Sequence, residues 1–350
     1  MKIGTGIRYA QSFRESVDRI VELEKAGLDV VWVSEAYSVD AVSRVGYLAA
    51  ATEQVEIGTA IINVYSRSAA AIAQTAAGCD LISDGRFILG LGASGPQVIE
   101  GFHGIPYEKP VKRIREYIDV VRMAMQREKL EYDGVTVQLP LPAGLGTGLG
   151  KPLKIINHLP RPSVPIWWAS LMPLAVRETA RCAEGWLPTS YLPEEIPNIW
   201  GDTLAKGMVD RPPELGPLQI SKVAMVAIGD EYVGEGADVA LDRDRENTAL
   251  YWGGMGARGK NFYNDIARKM GFEADARHIQ DLYLDGHKGE AAAAVPRSYL
   301  ERAHLVGPES VVRERLTLWK DAGITHLSVA LSGPDPVGTI EKLRVMIEEI

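Results

Sequence analysis

The sequence predicts an α/β chain closed as a (β/α)8 TIM barrel, and three observations carry that prediction. Short Val/Ile-rich runs alternate with longer amphipathic runs, the pattern of parallel strands joined by crossover helices. The alternation repeats eight times. No linker-like break divides the 350 residues, so a single barrel domain over residues 1–350 fits better than two doubly wound domains.

The first apolar run, Lys2–Tyr9, opens the chain as a strand rather than a signal peptide, and Ser12–Ala26 follows as an amphipathic helix. Strand two, Leu28–Ser34, leads to the helix Ala41–Thr52, and strand three, Val55–Ile62, to Ser68–Ile82. Phe87–Gly92 is the fourth strand, with Val111–Arg127 as its helix. Pro165–Ala169 is the fifth, and Pro173 opens the helix Leu174–Ala183 after it. Gly185–Pro188 with Glu194–Val209, Ile220–Ile228 with Glu309–Ala322, and His326–Leu331 with Gly338–Glu349 complete the set.

Two insertions interrupt the alternation. The first, about 130–154 after strand four, begins as a hairpin around Asp133-Gly134 and runs into a stretch with glycine at 144, 146, 148 and 150. It suits a mobile lid beside the site or a plain surface loop. It is not a phosphate-binding Walker loop, because Leu145 and Pro152 stand where that motif needs glycine and Ser/Thr. The second, about 230–308 after strand seven, is largely helical and suits the substrate side or a subunit interface.

Composition narrows the partners. A net charge of -8 without a Lys/Arg run argues against nucleic acid and makes a membrane surface an equally poor partner. No apolar stretch approaches the length of a membrane span, and a cytoplasmic location is expected. Cys79 and Cys182 fall in helical patterns with no further ligand types at metal spacing, so no metal is expected and both are read as reduced core thiols.

Gly90-Leu91-Gly92-Ala93-Ser94-Gly95 matches the dinucleotide fingerprint formally, as does Gly254 to Gly259. A true fingerprint opens the first βαβ unit, enters a helix at once, and meets an acidic residue on the next strand about 20 residues on. Here Pro96 and a loop are expected to follow, and Glu116 lies in an amphipathic run. Barrel active sites lie at the C-terminal ends of the strands, so the glycines are read as a seat where a flat ring approaches the backbone. Strand three passes from apolar residues to Asn63, Tyr65 and Arg67 at its mouth, and strand two ends in Ser34-Glu35. Strand five ends in Ala169-Ser170 before a helix whose backbone N–H groups and dipole suit a phosphate.

At these residues the chain resembles the luciferase-like flavin and deazaflavin oxidoreductases, especially the coenzyme F420-dependent branch. Gly27 to Glu35 is similar to the family's second strand, Leu81 to Gly92 to its fourth, and Pro165 to Ser170 with Ala183 to Trp186 to its phosphate-side pair. The resemblance implies a bulge in strand three with a non-prolyl cis peptide at Ala60-Ile61. It also implies cofactor contacts at Glu35, Ala60, Ile61, Asn63, Gly92, Ala93, Ser94, Ala169, Ser170, Leu171, Gly185 and Trp186, and a homodimer packed through early helices such as Ser68–Ile82.

The implied chemistry is hydride transfer between F420 and a small organic molecule with a C=O, C=C or C=N bond, or the corresponding alcohol. Glu35, Tyr65 and His103 are the candidate catalytic residues. Each has a structural reading too: Glu35 as a helix cap, Tyr65 as a pocket wall, His103 as a loop histidine. The sugar-phosphate dehydrogenases of the branch carry a histidine and a glutamate where this chain has Ala36 and Gly95, while Asn63 to Arg67 is more similar to the methylenetetrahydromethanopterin reductases. Two other readings stay open: an FMN-dependent monooxygenase, and a non-catalytic cofactor-binding protein.

Overall fold

The Val/Ile-rich runs form strands because β-branched side chains pack well on both faces of a buried parallel sheet. In the computed structural model, which describes residues 1–7 and 12–350, they are β1 (Lys2–Gly6), β2 (Val30–Val33), β3 (Glu56–Thr59), β4 (Ile62–Asn63) and β5 (Phe87–Gly92). An antiparallel hairpin follows, β6 (Tyr132–Asp133) with β7 (Gln138–Leu139). Then come β8 (Ile166–Trp168), β9 (Gly185–Trp186), β10 (Gln219–Ile228), β11 (Leu305–Gly307) and β12 (His326–Leu331). The parallel order β10-β12-β1-β2-β3-β5-β8-β9 returns to β10, so the sheet closes as an eight-stranded TIM barrel.

The expected strands are all present, although residues 8–11, which include the end of the expected first strand, lie outside the described residues. Strand three is broken at a cis Ala60–Ile61 peptide into β3 and β4, both pairing with β5. The short β11 went unrecognised; it adds in parallel to β10 within the second insertion, outside the closed ring.

The barrel helices are α1 (Phe13–Lys25), α2 (Ala41–Ala51), α3 (Ala69–Ile82), α4 (Pro96–Gly101), α5 (Pro110–Met125), α6 (Pro173–Cys182) and α7 (Ile196–Val209). The second insertion carries α8 (Glu235–Leu241), α9 (Arg245–Ala249), α10 (Phe262–Lys269), α11 (Glu273–Leu284), α12 (Lys288–Ala293) and α13 (Arg297–Ala303). The chain ends with α14 (Glu309–Asp321) and α15 (Pro336–Glu349). The loop expected after Pro96 is instead the short α4, with Pro96 in its first turn, where a missing N–H costs nothing. Cys79 and Cys182 are buried in α3 and α6, and burial pushes their thiols up to about 12 and about 11.

The first insertion is not a lid. The Glu116 carboxylate of α5 accepts the N–H groups of Val135, Thr136 and Val137 at 2.8, 2.7 and 3.0 Å, and Tyr132 donates to Asp119 at 2.7 Å. Arg161 pairs with the buried Asp80 near the end of α3 and donates to the Phe87 carbonyl, at the start of β5. These anchors hold the segment along the outside of α5 and toward the N-terminal end of the barrel, away from the strand mouths.

Inside the barrel, alternation points every second side chain inward. Trp32 and Trp167 meet there with ring centroids 5.3 Å apart, and His326 sits edge-on to Trp167 at 4.7 Å. A Cβ at Gly185 would lie 2.0 Å from Trp167 Cδ2, so β9 must pass this layer as glycine. Burial, aided by the charge of Lys2, pulls the His326 imidazole down to about 3. These rings form a closed floor.

Candidate active site

Above the Trp32–Trp167 floor, the inward residues at the strand ends are small. Gly6, Ser34, Ala60, Ala169, Val223 and Ala330 line a well, and Gly6, Val223 and Ala330 are exposed although they sit in barrel strands. Val223 keeps 53% of its surface open, which a strand side chain pointing into a filled barrel would not. The well therefore opens at the C-terminal face, where barrel enzymes place their sites.

The glycines of β5 turn out to serve the chain itself. A Cβ at Gly90 would lie 1.7 Å from the Thr59 carbonyl oxygen, and one at Gly92 would lie 2.4 Å from Ile61 Cδ1. Thr59 Oγ1 further donates to the Gly90 carbonyl at 2.9 Å and accepts the Gly90 N–H at 2.8 Å. Gly90 and Gly92 thus make room for the bulge between β3 and β4, and the expected ring seat at Gly92 is taken by Ile61. The bulge itself, Ala60 and Ile61, is half-exposed at the well. Nor is Gly254 to Gly259 a phosphate cradle: its Arg258 is paired with Asp281 and Asp285.

Alternation turns Ser34 inward and Glu35 outward, away from the well. The buried Glu35 carboxylate pairs with both terminal nitrogens of Arg67, at 2.8 and 2.9 Å, and accepts the Ala41 N–H at 3.0 Å. Those hydrogen bonds raise the Arg67 pKa. Glu35 thereby caps α2 and ties the loop after β2 to the loop after β4.

Asn63, opposite Gly92 in register, brings His103 to the mouth. Its Oδ1 accepts the N–H groups of Tyr65 and Ser66, at 3.1 and 2.8 Å. The amide nitrogen must then face outward, and it lies 3.3 Å from His103 Nε2. An amide nitrogen only donates, so Nε2 accepts and the neutral ring carries its proton on Nδ1. Tyr65 is buried, with its hydroxyl committed to the Glu108 carbonyl at 2.8 Å, its ring stacked on Tyr107 and Arg113 over the ring. Burial raises the Tyr65 hydroxyl. Tyr65 and Tyr107 form a wall, and of the three candidate catalytic residues His103 alone has a ring nitrogen left for a ligand.

Across the barrel, β8 ends in Ala169-Ser170-Leu171 before α6. Pro173 occupies the first turn of α6 and no side chain caps it, so the N–H groups of Leu174 and Ala175 are unspent ahead of Val176, whose N–H bonds the Met172 carbonyl at 2.9 Å. Ser170 is buried, its hydroxyl 2.7 Å from that of Thr179. Trp186 and Gly185 correct an expectation: Trp186 is fully buried and donates to the Ser170 carbonyl at 2.8 Å, and Gly185 lies against Trp167, so both support the rim from below. Ala36, Ser94 and Ser190, after β2, β5 and β9, all hold left-handed backbone at φ 46°, 57° and 53°. Non-glycine residues in that region gather where a site imposes its geometry.

The model of the luciferase-like monooxygenase family matches residues 1–326. The chain belongs to that family. This luciferase-like chain is 35% identical to Rv3520c of Mycobacterium tuberculosis, provisionally named a coenzyme F420-dependent oxidoreductase, over 98% of this chain and 99% of that protein. It is 24% identical to the 5,10-methylenetetrahydromethanopterin reductase of Archaeoglobus fulgidus, over 91% of this chain and 90% of that one. The coenzyme F420-dependent tetrahydromethanopterin reductase of Methanopyrus kandleri shares its fold, with a TM-score of 0.77 and 20% identity over 99% of this chain and 98% of that one.

Two contributors to the luciferase-like site were missed from sequence. Tyr107 sits in an aperiodic loop, and Thr59 looks like any strand residue until the bulge places it against Gly90.

Proposed function

We propose that the chain is an F420-dependent oxidoreductase that transfers hydride between the deazaflavin and a small organic substrate, acting in the cytosol as a homodimer. The observation that supports it most is the full-length 35% identity to a protein named as F420-dependent. The residues fit such a group. The well is walled by small residues over an aromatic floor, so a flat ring can enter, and the unspent N–H groups of α6 suit a phosphate. Ala60, Ile61, Ala93 and Ser94 would hold the ring side, and Ala169 and Leu171 the phosphate side.

The coenzyme, when bound, supplies a two-electron hydride. His103 keeps its proton on Nδ1 and donates a hydrogen bond to the substrate oxygen, as a neutral imidazole does where charge develops on a carbonyl. Asn63 holds the ring in that tautomer. Glu35 acts through Arg67, positioning the loops rather than moving a proton. The second copy would cover α3, whose sequence AAAIAQTAAGCDLI is apolar nearly all round and leaves Leu81 and Ile82 exposed, with Ile82 next to Gly46 of α2.

A second reading, an FMN-dependent monooxygenase, draws support from the family's own description. A non-catalytic role draws on Ala36 and Gly95 standing where the sugar-phosphate dehydrogenases carry their His and Glu. The deciding experiment follows oxidation of reduced F420 against carbonyl, alkene and imine panels. Turnover that falls about a hundredfold in His103→Gln supports the proposal; saturable binding with no turnover across the panels makes the protein a carrier.

A further inference from the structure

Between Asp133 and Glu178 the sequence contains no acidic residue, in a chain whose net charge is -8. Within that stretch, Leu141, Leu145, Leu149, Leu153 and Ile156 are 53%, 70%, 84%, 65% and 89% exposed. Large aliphatic side chains are rarely so open, and five in sixteen residues form a patch that needs cover. Lys151 and Lys154 stand among them, exposed and with no ion pair among the described residues. Regular structure is confined to a single 3-10 turn, Ala143–Leu145, and glycine at 144, 146, 148 and 150 keeps the rest of the backbone from one fixed shape.

We propose that residues 141–156 are a membrane-docking loop that takes an anionic lipid surface. Charge complementarity favours this occupant. Exposed aliphatic side chains with two lysines near their C-terminal end match an interface in which acyl chains lie under negative headgroups, and a bilayer accepts an irregular apolar loop without the fixed complementary shape a protein partner requires. The net negative charge of the whole chain hides this, because the acidic residues lie elsewhere. No helix among the described residues is long and apolar enough to cross a membrane, so the contact is with the surface. Because the segment is anchored along α5 and toward the N-terminal end of the barrel, a docked molecule keeps its well clear of the bilayer.

The test is co-sedimentation of the full-length protein with phosphatidylcholine vesicles, with and without phosphatidylglycerol. Two variants accompany it, Leu145→Asp/Leu149→Asp and Lys151→Glu/Lys154→Glu; both change exposed side chains, so their thermal unfolding should match the parent. The proposal expects binding to phosphatidylglycerol vesicles that weakens with salt, falls about thirtyfold in the lysine variant and is lost in the leucine variant. It is overturned if the parent does not sediment with anionic vesicles or if the variants bind as well as the parent. It is equally overturned if the variants dissociate an oligomer while vesicle binding stands, which would make a second copy the occupant.

Discussion

The two ends of the barrel interior are built on opposite plans. At the floor, Trp32, Trp167 and His326 fill the cross-section so completely that the neighbouring strand must be glycine at Gly185. At the mouth, Ala60, Ala169, Val223 and Ala330 stay open although they point inward, with no described residue covering them, and left-handed residues sit at three strand ends. The difference teaches where this sequence places stability and where it leaves room for a ligand.

The contrast predicts that substitutions at the floor and rim cost stability and those inside the well do not. The largest effect is expected for Gly185→Ala, whose methyl would meet Trp167 at 2.0 Å: a loss of about 3 kcal/mol or more in urea unfolding. Next is Glu35→Gln, which leaves Arg67 without its carboxylate. It should cost about 2 kcal/mol, and Glu35→Asp, which keeps the charge on a shorter arm, should lower the thermal transition less than Glu35→Gln does. A drop no greater than that of an exposed pair such as Lys2–Glu56 would sink the positioning role.

The floor should also be acid-sensitive in a particular window. His326 is held down to about 3 against 6.5 in the unfolded chain, so between those values the unfolded state binds more protons. Stability therefore falls as pH drops below about 6.5, by up to about 1.4 kcal/mol per pH unit from this group. His326→Gln should flatten that part of the pH profile; an unchanged slope would assign the acid sensitivity elsewhere. The smallest effect belongs to Val223→Ala in the well, within about 0.5 kcal/mol of the parent by the same unfolding measurement.

The barrel was legible because each strand and helix announces itself by its own period: seven of the eight runs recur within a residue or two of where the strands lie, and the end of the first falls outside the described residues. Strand three is the exception, since a two-residue bulge has no periodic signature. The site was less legible for a physical reason. Sequence order tells which residues end a strand but not which way each side chain turns, and so Glu35 and Ser34 both looked like mouth residues when only Ser34 faces in. Gly90 and Gly92 looked like open space, while the atoms that fill it, Thr59 O and Ile61 Cδ1, come from a strand 31 residues earlier. His103 could be named from its type, but its tautomer depends on the backbone N–H groups that lock Asn63.

The most direct measurement is a paired titration of the purified protein with F420 and with FMN, followed by quenching of tryptophan fluorescence, for which Trp167 at the base of the well is placed. The account predicts F420 binding in the micromolar range or tighter, about -8 kcal/mol or better, with no saturable response to FMN. Saturable FMN binding without F420 binding would contradict it and make the well a flavin site for oxygen chemistry.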